Sequence, residues 1–584
     1  MRVPAGRPWG SVRRRRRPMR KPSNIIFGVD ERPTLGVLLA SGMQHVGLLS
    51  IYLIYPVVIA RAGGLSEDKI LDMLSFSLLV LGIAAIIPAL KRGPFGVGIL
   101  NPALFSAAYA TPSLLAVKSG GLALVYGMTI FAGFVEMAFG RVQHRLRPFF
   151  PPEIAGLVVI LIAVSSGKLG ARLVLGIDGG VVDARYYLVA AVTLATLIAF
   201  SVWAKGGLKM FCALLGMAVG YLTTIALGKF PPHDLERVVN APVLDIPSID
   251  HVGWSFDFAL VVPFAIAGIA SAFKTVGVVT TYQRANDADW VRPDMRQIGR
   301  GVVADGAGSV VAGLLGAPGI NSSPSAVGLA AATGVTSRVV AFALGAIFLV
   351  LAFLPKAAAI VAVMPRPVMG AVLLFSASFV LLNGIEIVAS RLLDARRTFV
   401  VGLSFLAGLA VEVYPQPFAG LPHAVEPLVS SSLVLGLIVA LLLNLIFRIG
   451  VWKVGRLRVD PAQVDYPKLM EFIETQGAAW GARRDVIERA RFNVAQSVET
   501  IIESADAGGP LEIEASFDEF RVDITVRYSG APIDLPEIRP TEDEILEAED
   551  GHRRLAGYLL RRSADRVRAS HRAGRSMIVF HFDH

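Results

Sequence analysis

Long apolar runs separated by short polar loops fill the chain from about residue 35 to residue 450. Runs of about 20 apolar residues are long enough to cross a bilayer, and a backbone inside lipid must satisfy its own hydrogen bonds, so each run is expected to form a helix. The sequence therefore predicts an α-helical polytopic membrane protein. The predicted fourteen spans lie near 35–60, 69–90, 99–112, 121–140, 153–175, 186–203, 208–227, 257–281, 302–316, 322–335, 338–354, 366–389, 398–413 and 430–448.

Two of these runs, 99–112 and 322–335, are short for a crossing and contain Pro, Gly, Ser or Asn. They are the third and the tenth of fourteen, so each is third in its half of seven. Short, interrupted helices at matched positions in two halves are typical of inverted-repeat transporters, where they flank the substrate. Their unpaired N-terminal amides carry partial positive charge, which suits a polar or anionic solute. The alternative is that both are Gly/Pro-rich packing helices.

Charged residues make up 17% of the chain, against about 25% in an average soluble protein. Lys and Arg are more frequent at the junctions that are cytoplasmic if the N-terminus is inside, and an even number of spans then places both termini in the cytoplasm. We expect a disordered basic tail over 1–30, a transporter domain over 31–450 and a cytoplasmic domain over 451–584, in a multi-pass protein of the bacterial inner (plasma) membrane. The basic tail explains the net charge of +10 without nucleic acid as a partner.

Five stretches resemble the nucleobase–ascorbate transporter family, the xanthine/uracil permeases, and occur in that family's order. The resemblance implies a seven-plus-seven inverted repeat with core and gate domains and an elevator-type movement. It also implies substrate between the third and tenth spans, with coupling to protons or sodium, and we expect a homodimer. The five stretches are MQHVG (43–47), GPFGVG (93–98), RGVVADGAGSVVAG (300–313), VGLAAATGVTSR (327–338) and PRPVMGAVLLFSASFVLLNGI (365–385).

The sequence departs from the family at the positions where the family binds its substrate. The glutamate of the family's eighth span falls on Lys274, and the Gln/Glu–Asn pair of its tenth span falls on Ser325 and Ala326. A lysine deep in a span needs water or a partner. We predict that Lys274 either pairs with a membrane acid, such as Asp305 or Glu136, as a charge-neutral gate, or presents positive charge to an anionic solute.

Other candidate substrate-binding residues lie in the first, third and tenth spans. His45 and Asp305 are also candidates for coupling or gating, together with Lys274. A buried histidine is either a hydrogen-bonded structural residue or a proton carrier, because its pKa is near physiological pH. The sequence indicates neither a metal site nor a catalytic residue. These candidates are Gln44, His45, Ala108, Tyr109, Ser322 and Ser323, with Asn101, Ser106 and Asn321 as further polar residues at the short helices.

Residues 459–584 change character. A helical pattern over 466–504 precedes two alternating, strand-like stretches, LEIEASF and FRVDITVRY, then a helix near 550–566 and a last strand, SMIVFHF. This order resembles the histidine-kinase-like ATPase fold of anti-sigma factors, with Asn493 on its Asn-bearing helix. Tyr528 stands where an Asp would recognise adenine, and Glu488 is one residue from the expected magnesium-binding position. We therefore expect a regulatory or dimerisation module without a nucleotide cofactor.

The leading hypothesis is a secondary transporter of nucleobase-like solutes of the xanthine, urate and uracil class, with a preference for anionic purines. One alternative is a transporter of inorganic or carboxylate anions with the same class of fold. The other is a membrane sensor that signals through its C-terminal domain. None of the three is an enzyme.

Overall fold

The computed structural model divides, by its internal contacts, into two compact units, Met1–Leu443 and Asn444–His584. The structure describes residues 20–146, 151–177, 183–204, 211–247, 252–288, 290, 293–389, 395–418, 421–422, 429, 431–447, 453–480, 484–503, 509–517, 521–541, 544–545, 551–572 and 574–583.

The first unit is predominantly helical. Its described helices are α1 (Leu35–Ser50), α2 (Ile54–Ala62), α3 (Glu67–Ala89), α4 (Ala107–Leu146), α5 (Pro152–Leu175), α6 (Ala184–Trp203), α7 (Cys212–Ala226), α8 (Pro232–Asn240), α9 (Val261–Asn286), α10 (Met295–Leu314), α11 (Pro324–Thr333), α12 (Val339–Ala352), α13 (Pro355–Ala362), α14 (Arg366–Ala389), α15 (Ala395–Val413) and α16 (Ser432–Phe447), whose last residues, 444–447, belong to the second unit. A 3-10 turn, Ile51–Leu53, joins α1 to α2.

Within the described ranges, seven helical segments are long and apolar enough to cross a membrane. The pair α12 and α13, bent by 85°, makes eight if it counts as one span. The prediction of a multi-pass helical protein agrees with these segments, whereas the number fourteen stays a prediction. The seven segments are Leu35–Ala62, Lys69–Ala89, Ala107–Gln143, Glu153–Leu175, Ala184–Trp203, Phe258–Asn286 and Arg366–Ala389.

Two short strands stand where the sequence predicted the beginnings of the third and tenth spans. Strands β1 (Ala103–Phe105) and β2 (Ile320–Ser322) pair antiparallel, so their backbone groups bond to each other instead of within a helix. Helices α4 and α11 begin directly after them. A break at Gly121, where φ is +71°, divides α4 into a short first segment and a long second segment. The two short helices therefore begin side by side, joined by a two-stranded ladder.

Helices of the first unit approach each other closely at glycines that face one another. A Cβ added to Gly156 would lie 2.8 Å from the carbonyl oxygen of Gly384, and one added to Gly384 would lie 3.0 Å from that of Gly156. Small residues allow such close backbone approach in membrane helix pairs. The reciprocal pairs are Gly156–Gly384 and Gly170–Gly370 between α5 and α14, Gly133–Gly306 and Gly140–Gly299 between α4 and α10, and Gly82–Gly345 between α3 and α12.

The segment that precedes α1 lies along the C-terminal end of α11. The Phe27 amide donates to the Gly334 carbonyl (2.9 Å), and the Arg338 amide donates to the Val29 carbonyl (3.0 Å). The Asp30 carboxylate pairs with Lys91 (2.7 Å) and Arg338 (3.0 Å). Residues 27–30, which lie in the predicted disordered tail, are instead held by these bonds, and 1–19 lie outside the described residues.

Among its described residues, the second unit contains one five-stranded sheet and three helices. Each neighbouring strand pair is antiparallel, in the order β3–β4–β5–β7–β6. Alternate residues of β4 and β5 are buried against the helices. The sequence pattern missed β3 and β6, because edge strands rich in arginine lack a clear apolar alternation. The elements are β3 (Lys453–Val459), α17 (Tyr466–Trp480), α18 (Arg484–Glu503), β4 (Leu511–Phe517), β5 (Arg521–Ser529), α19 (Gly551–Ser563), β6 (Arg566–Arg572) and β7 (Arg575–Asp583).

Candidate functional site

A narrow pocket lies between the β1–β2 ladder and helices α5 and α14. Leu104 and Asn321, opposite each other in the ladder, line one wall together with Ser106, Ala107 and Lys274. Lys274 is the one charged side chain among the lining residues that the structure describes. The facing wall is formed by Val159, Ile162 and Ser166 on α5, Ser376, Ala377 and Val380 on α14, and Tyr52 and Tyr55 after α1.

A chain of hydrogen bonds holds Lys274 in this pocket. Its ammonium donates to Asn321 Oδ1 (3.0 Å), and Asn321 Nδ2 donates to Ser106 Oγ (2.8 Å). Ser106 Oγ also accepts a hydrogen bond from the Ala108 amide in the first turn of α4 (3.2 Å). An ammonium has three N–H donors, so Lys274 can bind Asn321 and still present donors to a solute. Ser106 Oγ accepts two hydrogen bonds, and its own O–H remains able to donate to a solute.

Asp305 lies behind the ladder rather than in the pocket wall. Its carboxyl accepts hydrogen bonds from the hydroxyls of Thr275 (2.5 Å), Ser271 (3.2 Å) and Ser322 (3.2 Å). These bonds tie α9, α10 and β2 together. Lys274 donates to the Asn321 amide rather than to this carboxyl, so the neutral-gate alternative, a direct Lys274–Asp305 ion pair, is not the arrangement seen.

His45 links α1 to the first turn of α11. Its Nδ1 lies 2.8 Å from the Ser41 carbonyl oxygen, and its Nε2 lies 3.3 Å from that of Ala326. Both partners are acceptors, so a neutral imidazole can donate to only one of them. His45 is buried, and its neighbour Gln44 is half-buried.

Ser323 caps the N-terminus of α11. Ser323 Oγ accepts from the Ala326 amide (3.2 Å) and lies 3.1 Å from Ser325 Oγ. Ser325 also reaches the Tyr52 hydroxyl, which belongs to the pocket. Tyr109 is fully buried and packs against Phe264, with ring centroids 6.5 Å apart, so it lies behind the pocket.

Of the predicted residues, Lys274, Ser106 and Asn321 line the pocket itself. Ser325 and His45 contact the pocket wall or the short helix beside it. Ser322 instead bonds to Asn101 and Asp305 behind the ladder, where Ala108, Tyr109 and Ala326 are also buried.

The sequence analysis missed the hydroxyls of the facing wall. Tyr55 donates to Ser166 Oγ (3.4 Å), and Ser376 donates to the Tyr52 hydroxyl (3.2 Å). The sequence feature that could have indicated this wall was a pair of tyrosines in an otherwise apolar span. They are three residues apart and therefore lie on one helix face.

Two ion pairs fix helix α15 against α5, beside the facing wall. Arg397 pairs with Glu153 (3.1 Å), and Glu412 pairs with Lys168 (2.7 Å). The Glu412 carboxylate also accepts from Ser165 (2.6 Å). Each helix thus carries one acid and one base in opposite order, so a relative shift of the two helices would break both pairs.

Comparison of the sequence with known proteins places the chain in a family. The model of the permease family matches residues 36–416. The chain is 30% identical over 434 residues to a Clostridium perfringens protein assigned as a purine permease, with 73% of this chain and 93% of that protein covered. It is 27% identical to the xanthine permease XanP of Escherichia coli strain K12, with 73% and 95% covered.

Among solved structures, the transmembrane domain of the cyanobacterial bicarbonate transporter BicA is similar at 14% identity, with a TM-score of 0.43 and coverage of 70% of this chain and 96% of that one. The sequence relatives are transport proteins rather than enzymes, and they confirm the resemblance found in the five motifs. The chain belongs to the xanthine/uracil permease family, the nucleobase–ascorbate transporters.

Proposed function

We propose that the protein is a secondary active transporter of purine nucleobases that favours their anionic forms, such as those of xanthine and urate. The observation that carries the proposal is Lys274, the one charged side chain among the described residues that line the pocket. Relatives named as xanthine or purine permeases supply the solute class.

The pocket chemistry fits a planar anion. The Lys274 ammonium and the Ser106 hydroxyl lie on one wall, where they can donate to adjacent ring nitrogen and oxygen atoms. Leu104, Val159 and Ile162 supply apolar surface for the ring faces. Ligand pockets commonly combine apolar walls with a few placed polar groups in this way.

Transport requires the two walls of the pocket to move relative to each other, because the space between them is narrow. We propose an elevator-type movement of a core, containing the β1–β2 ladder with α9 and α10, against a gate containing α5 and α14. In a seven-plus-seven repeat, each span of the first half has a counterpart seven spans later. Helix α3 then corresponds to α10, and the second segment of α4 corresponds to α12. The α3–α12 contact in one arrangement is therefore the counterpart of the α10–α4 contact. Both contacts are glycine pairs, which supports that repeat. A homodimer in the plasma membrane, with both termini in the cytoplasm, completes the proposal.

The test is uptake of labelled xanthine, urate and uracil by purified protein in liposomes. We expect wild-type uptake of the purines, and a loss of at least about tenfold in Lys274→Gln, which corresponds to about 1.4 kcal/mol. Lys118→Gln is the matched control, since Lys118 is an exposed lysine at the end of the first α4 segment. Its uptake should equal that of the wild type.

The same assay separates the alternatives. Absence of uptake and binding for every purine and pyrimidine would reject the proposal. Competition by sulfate, bicarbonate or dicarboxylates, with none by nucleobases, would favour an anion transporter. A thermal-shift screen adds a binding readout, because a specific ligand stabilises the folded state by mass action. Equal shifts in wild type and Lys274→Glu would remove Lys274 from the site.

A further inference from the structure

We propose that one face of the sheet in the second unit binds the anionic phospholipid headgroups of the bilayer from which the chain emerges. The match to the permease family ends at residue 416, before this unit begins. The inference rests on the prediction that α16 spans the membrane, and it is independent of the solute that the first unit transports.

The three described helices of this unit all pack on the other face of the sheet. Alternate strand residues, among them Ile513, Ile524 and Phe580, are buried in one hydrophobic core with residues of α17, α18 and α19. The strand residues between them point away from these helices and are only partly buried. Antiparallel sheets commonly leave one face to solvent, so an open face alone does not identify a binding surface.

The charge of this open face is strongly unbalanced. By the strand register, eight arginines and four acids share it, which leaves an excess of four positive charges when histidine is counted as neutral. None of the bases at the described register positions is a lysine. We call this surface the arginine face. Its arginines are Arg456, Arg458, Arg521, Arg527, Arg566, Arg568, Arg572 and Arg575, and the acids are Glu512, Glu514, Asp523 and Asp583.

The excess charge is concentrated at one edge of the arginine face. The acids of β4 lie between arginines of the neighbouring strands: Glu514 pairs with Arg456 and Arg527 (3.1 Å each), and Glu512 pairs with Arg458 (2.9 Å). Half of the arginines therefore stand on or beside the edge strand β6, away from these two acids. They are Arg566, Arg568, Arg572 and Arg575.

This chemistry fits a layer of phosphate groups. A guanidinium stays charged and can donate two parallel hydrogen bonds to the oxygens of one phosphate, which an ammonium cannot do. Two half-buried apolar residues, Met577 and Val579, lie on β7 between the arginines of β5 and β6. A surface that combines arginine with apolar side chains is typical of protein segments that lie at the membrane interface.

The bilayer is also the anionic surface that the chain itself brings near. Residues 448–452 alone separate the end of α16 from the start of β3, which is about 20 Å of extended chain. A tethered surface meets its ligand at a high effective concentration. Basic segments close to a membrane span are attracted to anionic lipids. The short tether therefore favours phospholipid over a soluble acidic protein as the partner of the arginine face.

The test places a polarity-sensitive fluorophore on the arginine face of the full chain in lipid nanodiscs. Cys212, the one cysteine of the chain, is replaced by alanine. The label is then attached through Ser570→Cys, an exposed position on β6. The matched reference is a label attached through Thr475→Cys, which is exposed on α17 on the helix side of the sheet.

We expect a blue shift of the emission at Ser570→Cys in nanodiscs that contain phosphatidylglycerol, and none in phosphatidylcholine alone. The label at Thr475→Cys should respond to neither lipid. The shift at Ser570→Cys should disappear in 1 M NaCl, because salt at that concentration screens exposed charges beyond about 3 Å. A label that does not respond to phosphatidylglycerol, or a shift that persists in 1 M NaCl, would overturn the proposal.

Neutralising the edge of the arginine face should remove the response. Arg568→Gln/Arg572→Gln/Arg575→Gln should lose most of the shift. The control Lys468→Gln/Arg484→Gln/Arg553→Gln removes three exposed bases on the helices and should keep it. The salt measurement uses the native arginines, so it decides the proposal if the first triple variant fails to fold.

Two further additions separate phospholipid from other anions. In phosphatidylcholine nanodiscs, inorganic phosphate and polyglutamate should each leave the emission at Ser570→Cys unchanged. A shift with phosphate would assign the arginine face to a soluble anion, and a shift with polyglutamate alone would assign it to an acidic protein. Either result would overturn the assignment to lipid.

Discussion

At the residue scale, the site depends on one amide that joins two helices. Asn321 accepts from Lys274 and donates to Ser106, so it orients the lysine and the start of α4 at once. An amide can do both because it has a donor and an acceptor end. A carboxylate at the same position keeps the lysine bond but adds a negative charge.

Asn321→Asp should therefore weaken the preference for anionic over neutral solutes. The new carboxylate would neutralise Lys274, so uptake of a purine anion should fall by about tenfold or more, about 1.4 kcal/mol. Uptake of neutral uracil should fall less. Competition assays across the ionisation range of xanthine measure the preference. Asn321→Ser, which is neutral, should retain the preference for anions, and equal losses for both solutes in Asn321→Asp would contradict the prediction.

Asp30 gives a pH-dependent prediction outside the membrane helices. Partial burial would raise the pKa of Asp30, but Lys91 and Arg338 lower it, and the net direction is downward. The ionised carboxylate therefore stabilises the fold above the unfolded pKa, and this stabilisation is lost as pH falls through the folded pKa.

Asp30→Asn should lower the Tm at pH 7, and the two proteins should converge as the pH falls through the lowered folded pKa of Asp30. Because Asp30 is more than half exposed (57% of its side chain), the difference should also shrink at high salt. A Tm difference that is constant with pH and salt would mean that the carboxylate does not act through its charge.

At the element scale, the helix pair α5 and α14 should tolerate no side chain at its crossing points. In Gly384→Ala the new Cβ would meet backbone atoms of Gly156 and Ile160 at 2.9–3.0 Å, so the helices must separate. Overpacking of this kind costs about 1–3 kcal/mol. Gly402→Ala on α15, with nothing within 4 Å, should be neutral or stabilising. Thermal unfolding in detergent compares the two, and an equal effect would show that the crossing is not tight.

Much of this architecture could be predicted from the sequence. The short, polar third and tenth runs indicated the two short helices, and Lys274 stood out because a charge deep in a span is costly. The strands β1 and β2 could not be predicted, since three residues are too few to show an alternation. Ser166 and Ser376 were missed because serine is common in apolar helices, and only packing decides which serines face the pocket.

At the scale of the whole molecule, the second unit has its own hydrophobic core. The residues that the sequence analysis compared with a nucleotide site form hydrogen bonds to other residues of that unit. Asn493 donates to the Arg489 carbonyl (3.0 Å) and accepts from Ser563 (2.8 Å). The Tyr528 hydroxyl accepts from the Ile533 amide (3.0 Å). We expect MgATP to leave the Tm of the full chain unchanged, in thermal-shift measurements with MgCl₂ alone as the control. A rise that depends on ATP concentration would contradict this reading and restore a nucleotide role.

The β1–β2 ladder also has a consequence for biosynthesis. Ser106 and Asn321 are 215 residues apart, so the partner of the first strand is made long after it. At about 5–20 residues per second, the delay is roughly 10–40 s. During that time, Asn101 and Ser106 must wait at the translocon or in lipid without their final partners, where unpaired polar groups are costly. Weakening the second strand should therefore first reduce the amount of protein that survives membrane quality control, before it reduces the transport rate of each molecule.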